Sequence, residues 1–402
     1  MMLNSNMGWG TTWTVKKGAS IRNAIQKAGA NDTIFIQPGR YQENFIEIRK
    51  PLTILGKEWP VIDGSGKGDI LVIYSNYVTV QGIQLQNTGI SYLKEWAAIR
   101  LDRAGFVTIR NNQLRNTFFG VYVQYGHDCI IENNTIIGKT VLDFQAGNAI
   151  HIWKGVRMKI VNNITETHRD GIYFEFVDSS LIEGNQSLHN IRYGLHFMFS
   201  NEDLYRNNLF YNNGSGVAVM FSKNIRMIGN KFEYNQGGAS YGILLKEISH
   251  GEMKGNVFQE NTIGIYAEGA TAISITHNDF KRNGKAIDIK GNSLDNTITY
   301  NNFMGNTFEV FTNTRSNLNR YDFNYWSQYK GFDLNKDGIG DEYYRPVNLM
   351  SSITANAPAA YLLLHSSLAT FLDLMERIFP SLIPETLIDN HPSMNPIAHD
   401  RY

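Results

Sequence analysis

Asn208-Leu-Phe210, Asn230-Lys-Phe232, Asn256-Val-Phe258 and Asn278-Asp-Phe280 repeat one pattern at intervals of 22, 26 and 22 residues: an asparagine, then a large ring two positions on. Working outward, the asparagine recurs at Asn112, Asn134, Asn163 and Asn185 before this stretch and at Asn302 after it, with Leu114, Ile136 and Met304 in the ring position. Self-similarity at such a period marks a solenoid. A leucine-rich repeat would need Leu at fixed positions and a helical segment in every turn, whereas these units use Ile, Val and Phe. Each unit reads instead as short alternating strands separated by Asn, Gly and Asp turns, which is what a rung of a parallel β-helix requires. The expected fold is all-β, a single-stranded parallel β-helix, right-handed by the general preference of parallel crossovers.

In such a coil, strands of successive rungs lie about 4.8 Å apart, so equivalent side chains touch. The ring positions should form an internal column. The asparagines should form a second column at a turn, tolerating left-handed backbone angles and passing amide hydrogen bonds from rung to rung.

The rung pattern extends upstream through Ile34-Phe-Ile36, Leu52-Thr-Ile54, Ile70 to Ile73 and Val78 to Leu85. Before it, Ile21, Ala24, Ile25 and Ala28 share one helical face, and a short helix there would cover the exposed first rung. Downstream the repeat dissolves after Phe303. From Tyr361 to Phe379 the apolar residues follow helical spacing until Pro380 and Pro384. The expected division is a capped β-helix over 1–345 and a helical tail over 346–402.

With 37 basic and 37 acidic side chains the formal charge is zero, so no net field gathers nucleic acid or an anionic membrane. A single cysteine, Cys129, excludes an internal disulfide and a thiolate zinc site. Charges interrupt every apolar stretch short of a membrane span. Met1 to Thr14 carries no basic stretch followed by an apolar run, so no export signal is read there.

Aligning the rungs on a small residue gives Gly120-Val-Tyr-Val-Gln124, Ala149-Ile-His-Ile-Trp153, Gly171-Ile-Tyr-Phe-Glu175, Gly194-Leu-His-Phe-Met198, Gly216-Val-Ala-Val-Met220, Gly242-Ile-Leu-Leu-Lys246 and Gly264-Ile-Tyr-Ala-Glu268. Alternation points Val121, Ile150, Ile172, Leu195, Val217 and Ile243 inward. It points Tyr122, His151, Tyr173, His196 and Leu244 outward, followed by the column Gln124, Trp153, Glu175, Met198, Met220, Lys246 and Glu268. That face is too apolar to be a solvated wall and reads as a binding surface or one covered by the chain's own tail. Met198 and Met220 fall on adjacent rungs of one column, with His196 two residues from Met198. Thioethers ligate hard cations poorly and Cu(I) well, so a metal held by these three residues would be soft, monovalent copper. The competing reading is packing beneath the tail, and spacing alone favours it.

Two other groups carry polar side chains suited to chemistry. His168, Asp170, His189 and Arg192 fall in turns, and with Arg169 or Lys246 as a charge neutraliser they would suit a uronate lyase or C5-epimerase. Turn residues of this kind are more often structural, and no arrangement is distinctive. In Asp333-Leu-Asn-Lys-Asp-Gly-Ile-Gly-Asp341, Asp333, Asn335, Asp337 and Asp341 offer alternating oxygens as in the first part of a calcium loop. An Asx-rich turn without an ion is the alternative.

The N-terminal motifs Asp32-Thr-Ile-Phe-Ile-Gln-Pro-Gly-Arg-Tyr41 and Leu52-Thr-Ile-Leu-Gly56 resemble the start of pectin-lyase-like β-helix proteins, which implies the fold and no activity. More particular are Gly147-Asn-Ala-Ile-His-Ile-Trp153, His168-Arg-Asp-Gly-Ile-Tyr-Phe-Glu175, Arg192-Tyr-Gly-Leu-His-Phe-Met-Phe-Ser-Asn201 and Gly216-Val-Ala-Val-Met-Phe-Ser222. These resemble the NosD family of nitrous oxide reductase maturation proteins, from about residue 15 into the tail. The resemblance implies a periplasmic protein that carries copper as cargo and is not an enzyme. It also implies docking on an ABC-type transporter (NosF ATPase, NosY membrane subunit), a copper-donating lipoprotein NosL, and apo nitrous oxide reductase as recipient. Contact with the membrane would run through those partner subunits, the amphipathic 361–379 segment lying against one of them or closing the last rung. The family likeness lifts the copper reading of His196, Met198 and Met220 above packing.

Overall fold

The computed structural model describes residues 10–91, 93–139, 146–314, 318–347, 349–356, 358–363, 366–367, 371–372, 375 and 387–399. The chain divides into two compact units, Met1–Arg192 and Tyr193–Tyr402. Within each, every rung supplies one strand to each of three parallel sheets, the arrangement of a parallel β-helix.

In the first unit, α1 (Ile21–Lys27) begins where the Ser20 hydroxyl accepts from the Asn23 N–H and the Glu43 carboxylate accepts from the N–H groups of Ile21 and Arg22. Those are groups a helix start leaves without partners of its own. Ile21, Ile25 and Ala28 are buried, and α1 packs on the strands Thr12–Val15, Thr33–Ile36 and Ile46–Ile48, capping the first rung as expected.

The asparagine column exists and is buried. The Asn134 side-chain oxygen accepts from both the backbone N–H and the side-chain amide of Asn112 at 3.0 Å, and Asn163 and Asn185 continue the chain of bonds. In the second unit the same double bond links Asn208, Asn230, Asn256, Asn278, Asn301 and Asn324. Two corrections follow. The column passes through Asn301, not Asn302. The left-handed conformation belongs to the residue before each ladder asparagine, such as Asn133 (φ 54°), Asn207 (φ 55°) and Gly229 (φ 65°), not to the ladder residue itself. Asn302 lies one residue off, so Phe303 is buried in the ring column while Met304 is only half-buried.

That ring column runs Phe210, Phe232, Phe258, Phe280, Phe303 and Trp326, with successive centroids 5.4, 4.7, 4.9, 4.8 and 4.1 Å apart. Stacking of this kind contributes beyond buried area. The repeat therefore outlasts Phe303, with further strands at Phe308–Thr312, Arg320–Asp322 and Tyr325–Trp326.

The far end of the second unit is closed by residues 387–394, bridged to Tyr321 and Tyr325 on one side and to Tyr344 and Ile339 on the other. The Asp389 carboxylate takes the place of a next asparagine. It accepts from the Asn324 N–H and side-chain amide at 3.0 Å and from the Trp326 indole at 2.9 Å. The helix α2 (Leu349–Asn356) packs on the strand Phe308–Thr312. Of the 361–379 segment, Tyr361 to Leu363 belong to the 3-10 turn Pro358–Leu363, and most of the rest lies outside the described residues.

Beneath this closure Glu309 is 3% exposed and accepts from the Tyr344 hydroxyl at 2.6 Å. Burial pushes its carboxyl up to about 7 from an ordinary 4.5, against the opposing bond from Tyr344. A raised carboxyl favours the folded state when protonated, so its contribution is full below pH 4.5 and is lost as the pH rises through 7. Thermal unfolding should show E309Q more stable than the parent at pH 8, by about 2 kcal/mol, with the difference vanishing toward pH 5. The ladder gives a second expectation. Asn256 makes bonds to Asn230, to Asn278 and to the Met227 carbonyl, so N256A should lower stability in urea denaturation by about 3 kcal/mol or more. K231A, at an exposed strand position, should change it by less than about 1 kcal/mol.

Candidate metal centre

In the second unit, the strands Tyr193–Met198, Ser215–Met220 and Tyr241–Lys246 stack in register. Their small markers have a steric cause: a Cβ on Gly216 would lie 2.3 Å from the Gly242 carbonyl oxygen, a clash with fixed backbone. From that point the pleat alternates. Leu195, Phe197, Val217, Val219, Ile243 and Leu245 are buried inside. The outward partners are His196 over Ala218 and Leu244, and Met198 over Met220 and Lys246.

The three sequence candidates thus share one face. Met198 and Met220 are Cα partners on adjacent rungs, about 4.8 Å apart across the sheet, and His196 is two residues along the strand from Met198. Both methionines are half-buried and His196 is 5% exposed, so the imidazole lies under more cover than the two thioether side chains. Ala218, the small member of its column, places only a methyl beside the imidazole, where Leu244 and Tyr266 stand on the next rungs. The methionine column is bounded beyond Met220 by Lys246, whose ammonium is 3.8 Å from the Glu268 carboxylate.

Sequence reasoning missed Tyr193. Strict alternation from Leu195 points it inward, yet its ring centroid is 4.8 Å from that of His196, where it fixes the imidazole from the side. The signal was its position at the strand entrance before Gly194, where the pleat is not yet established.

The other candidates separate. In the first unit His168 is 1% exposed, with Nδ1 3.0 Å from the Glu166 carbonyl and Nε2 3.2 Å from the Thr117 hydroxyl. Burial pulls its pKa down to about 4, against the Glu166 and Thr117 bonds. Such a histidine is neutral and engaged at both nitrogens. Asp170 is fully buried 3.9 Å from Arg169, and His189 pairs with Glu166 at 3.2 Å. A concavity of about 600 Å3 beside His168 is lined by Asn87, Asn116, Thr117 and Lys139. Much of its polar lining is internally bonded, Asn116 to Asn87 and Asn87 to Asp63.

The oxygens of the 333–341 loop engage its own backbone. Asp333 accepts N–H groups of Lys336, Asp337 and Gly338, Asp337 accepts that of Ile339, and Asp341 that of Leu334. Asn335 bonds Asp337 through its own amide. These oxygens tie an Asx-rich turn instead of converging, and among the described residues no three His, Cys, Asp or Glu side chains gather as a metal site. The donor set left on the outward face is two thioethers and an imidazole, a composition suited to Cu(I) and ill suited to hard cations.

Residues 61–164 match a family described as a right handed beta helix region, which also gives the hand of the coil. Residues 138–331 match the family described as periplasmic copper-binding protein (NosD). Two curated relatives are named probable ABC transporter binding protein NosD. That of Stutzerimonas stutzeri is 30% identical over 376 residues, 89% of this chain and 85% of its own length. That of Pseudomonas aeruginosa is 31% identical over 383 residues, 90% and 88% of the two chains. Among solved structures, the Streptococcus pneumoniae surface adhesin PfbA superposes with a TM-score of 0.59 at 13% identity, covering 77% of this chain and 100% of that one. The A-module of a mannuronan C-5 epimerase from Azotobacter vinelandii gives 0.53 at 17% identity, covering 75% and 88%. At those identities an adhesin and an epimerase share only the coil. The curated relatives instead cover 89% and 90% of this chain at 30% and 31% identity, and on that ground this chain belongs to the NosD family.

Proposed function

We propose that this protein is a periplasmic Cu(I) carrier that loads apo nitrous oxide reductase, working beside an ABC-type transporter. In this reading His196, Met198 and Met220 hold the ion. NosL supplies it, and the NosF ATPase and NosY membrane subunit drive the change of access between donor and recipient. The membrane is reached through those subunits.

The observation that carries the reading is the pairing of Met198 with Met220 in register on the outward face, beside a covered imidazole. Two neutral sulfurs and a neutral nitrogen leave the ion its single positive charge. Such ligands exchange, because no carboxylate or thiolate fastens the metal electrostatically. The description of the matching family as copper-binding and periplasmic, and the transporter named for both relatives, support it.

Anaerobic Cu(I) titration against a competing chelator tests it. The parent should take up Cu(I), and M198L/M220L, which keeps side-chain volume and removes both sulfurs, should bind at least about 100-fold more weakly with its thermal stability nearly unchanged. No uptake by the parent, or equal uptake by M198L/M220L, would sink the assignment.

A further inference from the structure

Each methionine of the proposed site is followed by a phenylalanine at the turn that leaves the strand. Phe199 donates its N–H to the Met220 carbonyl at 3.1 Å, and Phe221 to the Lys246 carbonyl at 3.0 Å, so the two turns are locked one rung apart. The rings stack with centroids 5.1 Å apart and planes 13° from parallel. They are nonetheless 38% and 43% exposed.

Both residues are also held in the left-handed region, at φ 50° and 53°. Other large residues of the coil share that conformation at their turns, Phe106 at φ 54° and Tyr125 at φ 54° among them. On the next two rungs the equivalent positions are Glu247, at φ 52° and donating to the Glu268 carbonyl, and Gly269, at φ 65°. A large ring at this place gains only partial burial from folding. Left-handed backbone recurs at turns throughout the coil, so what sets these two residues apart is the exposed, stacked pair of rings beside the methionines.

We propose that Phe199 and Phe221 form the docking rim on which a partner protein sits while it exchanges Cu(I) with Met198 and Met220; this rests on the copper reading above. The partner is specified by the chemistry of transfer. A bound Cu(I) passes between soft sites by ligand exchange: an incoming thioether, thiolate or imidazole bonds the ion, a Met198 or Met220 sulfur leaves it, and no electron moves. The acceptor's donor atoms must therefore reach the methionine column itself. The surface around them must lie on what borders that column at the strand exit, which is the stacked pair of rings. The occupant that fits is a protein whose soft-ligand copper site opens on its surface within an apolar frame, since aromatic anchors of this kind carry most of the energy where they meet a matching socket.

The test uses the full chain and apo nitrous oxide reductase as acceptor. F199G/F221G places glycine where glycine is preferred, so it should fold as well as the parent, and F199N/F221N serves as a second variant at the same angles. Both should keep Cu(I) affinity within about two-fold while slowing transfer from the loaded protein by about ten-fold or more at low acceptor concentration. Direct binding of the acceptor in the absence of copper should weaken in parallel. Unchanged transfer and unchanged acceptor binding would overturn the docking role, as would a loss of copper affinity equal to the loss of transfer. Should the parent bind no Cu(I), the carrier reading alone fails, and the copper-free binding comparison still decides whether the rings are a docking surface.

Discussion

One asparagine oxygen accepting two bonds from the asparagine of the neighbouring rung is the constraint from which the rest follows. The geometry works only when the two residues lie directly one above the other. A slip of a single residue would strand buried amides and turn every side chain of the strand to the other face. The spacing of the ladder is therefore the spacing of the outward columns. Asn208 to Asn230 and Met198 to Met220 are both 22 residues; Asn230 to Asn256 and Met220 to Lys246 are both 26. The longer rung takes up its four extra residues in the turn about Gly237 and Gly238 without disturbing the register on either side. A second buried column, Asn213, Asn235, Asn261, Asn283 and Asn306, fixes the next corner in the same way.

A coil held by identical bonds has no intrinsic end, and each unit shows a different solution. Glu43 and Ser20 satisfy the start of α1 over the first rung, whereas Asp389 enters the asparagine site above Asn324 and ends the series. Asp389 accepts bonds and has no amide with which to pass one on, so the ladder stops there for chemical reasons. Its burial raises its pKa against the bonds from Trp326 and Asn324.

Much of this was legible because it is local and periodic. The asparagine and ring spacings gave the coil, and the pleat gave the shared face of His196, Met198 and Met220. Legibility failed where periodicity is degenerate or absent. At Asn301-Asn302 two adjacent asparagines compete for the ladder, and the bonds from Asn278 together with the burial of Phe303 over Met304 distinguish them. Asp389 stands 65 residues from the asparagine it receives, with no repeat between to announce it. In the 333–341 loop, spacing places oxygens correctly for an ion, but the backbone turns so that its own N–H groups reach them first. His168 shows the same limit: a polar residue in a turn says nothing of whether that turn folds under the sheet.

What the face offers chemically is softness and shelter together: two half-buried thioethers, a buried imidazole, and a tyrosine ring against that imidazole. The claim that matters most is that sulfurs from two different rungs bind one ion. Copper K-edge X-ray absorption on the Cu(I)-loaded protein addresses this most directly. The expected spectrum contains two sulfur scatterers and one imidazole nitrogen, with M220L reducing the sulfur count to one. A first shell of nitrogen and oxygen alone, or one unaltered in M220L, would contradict the site.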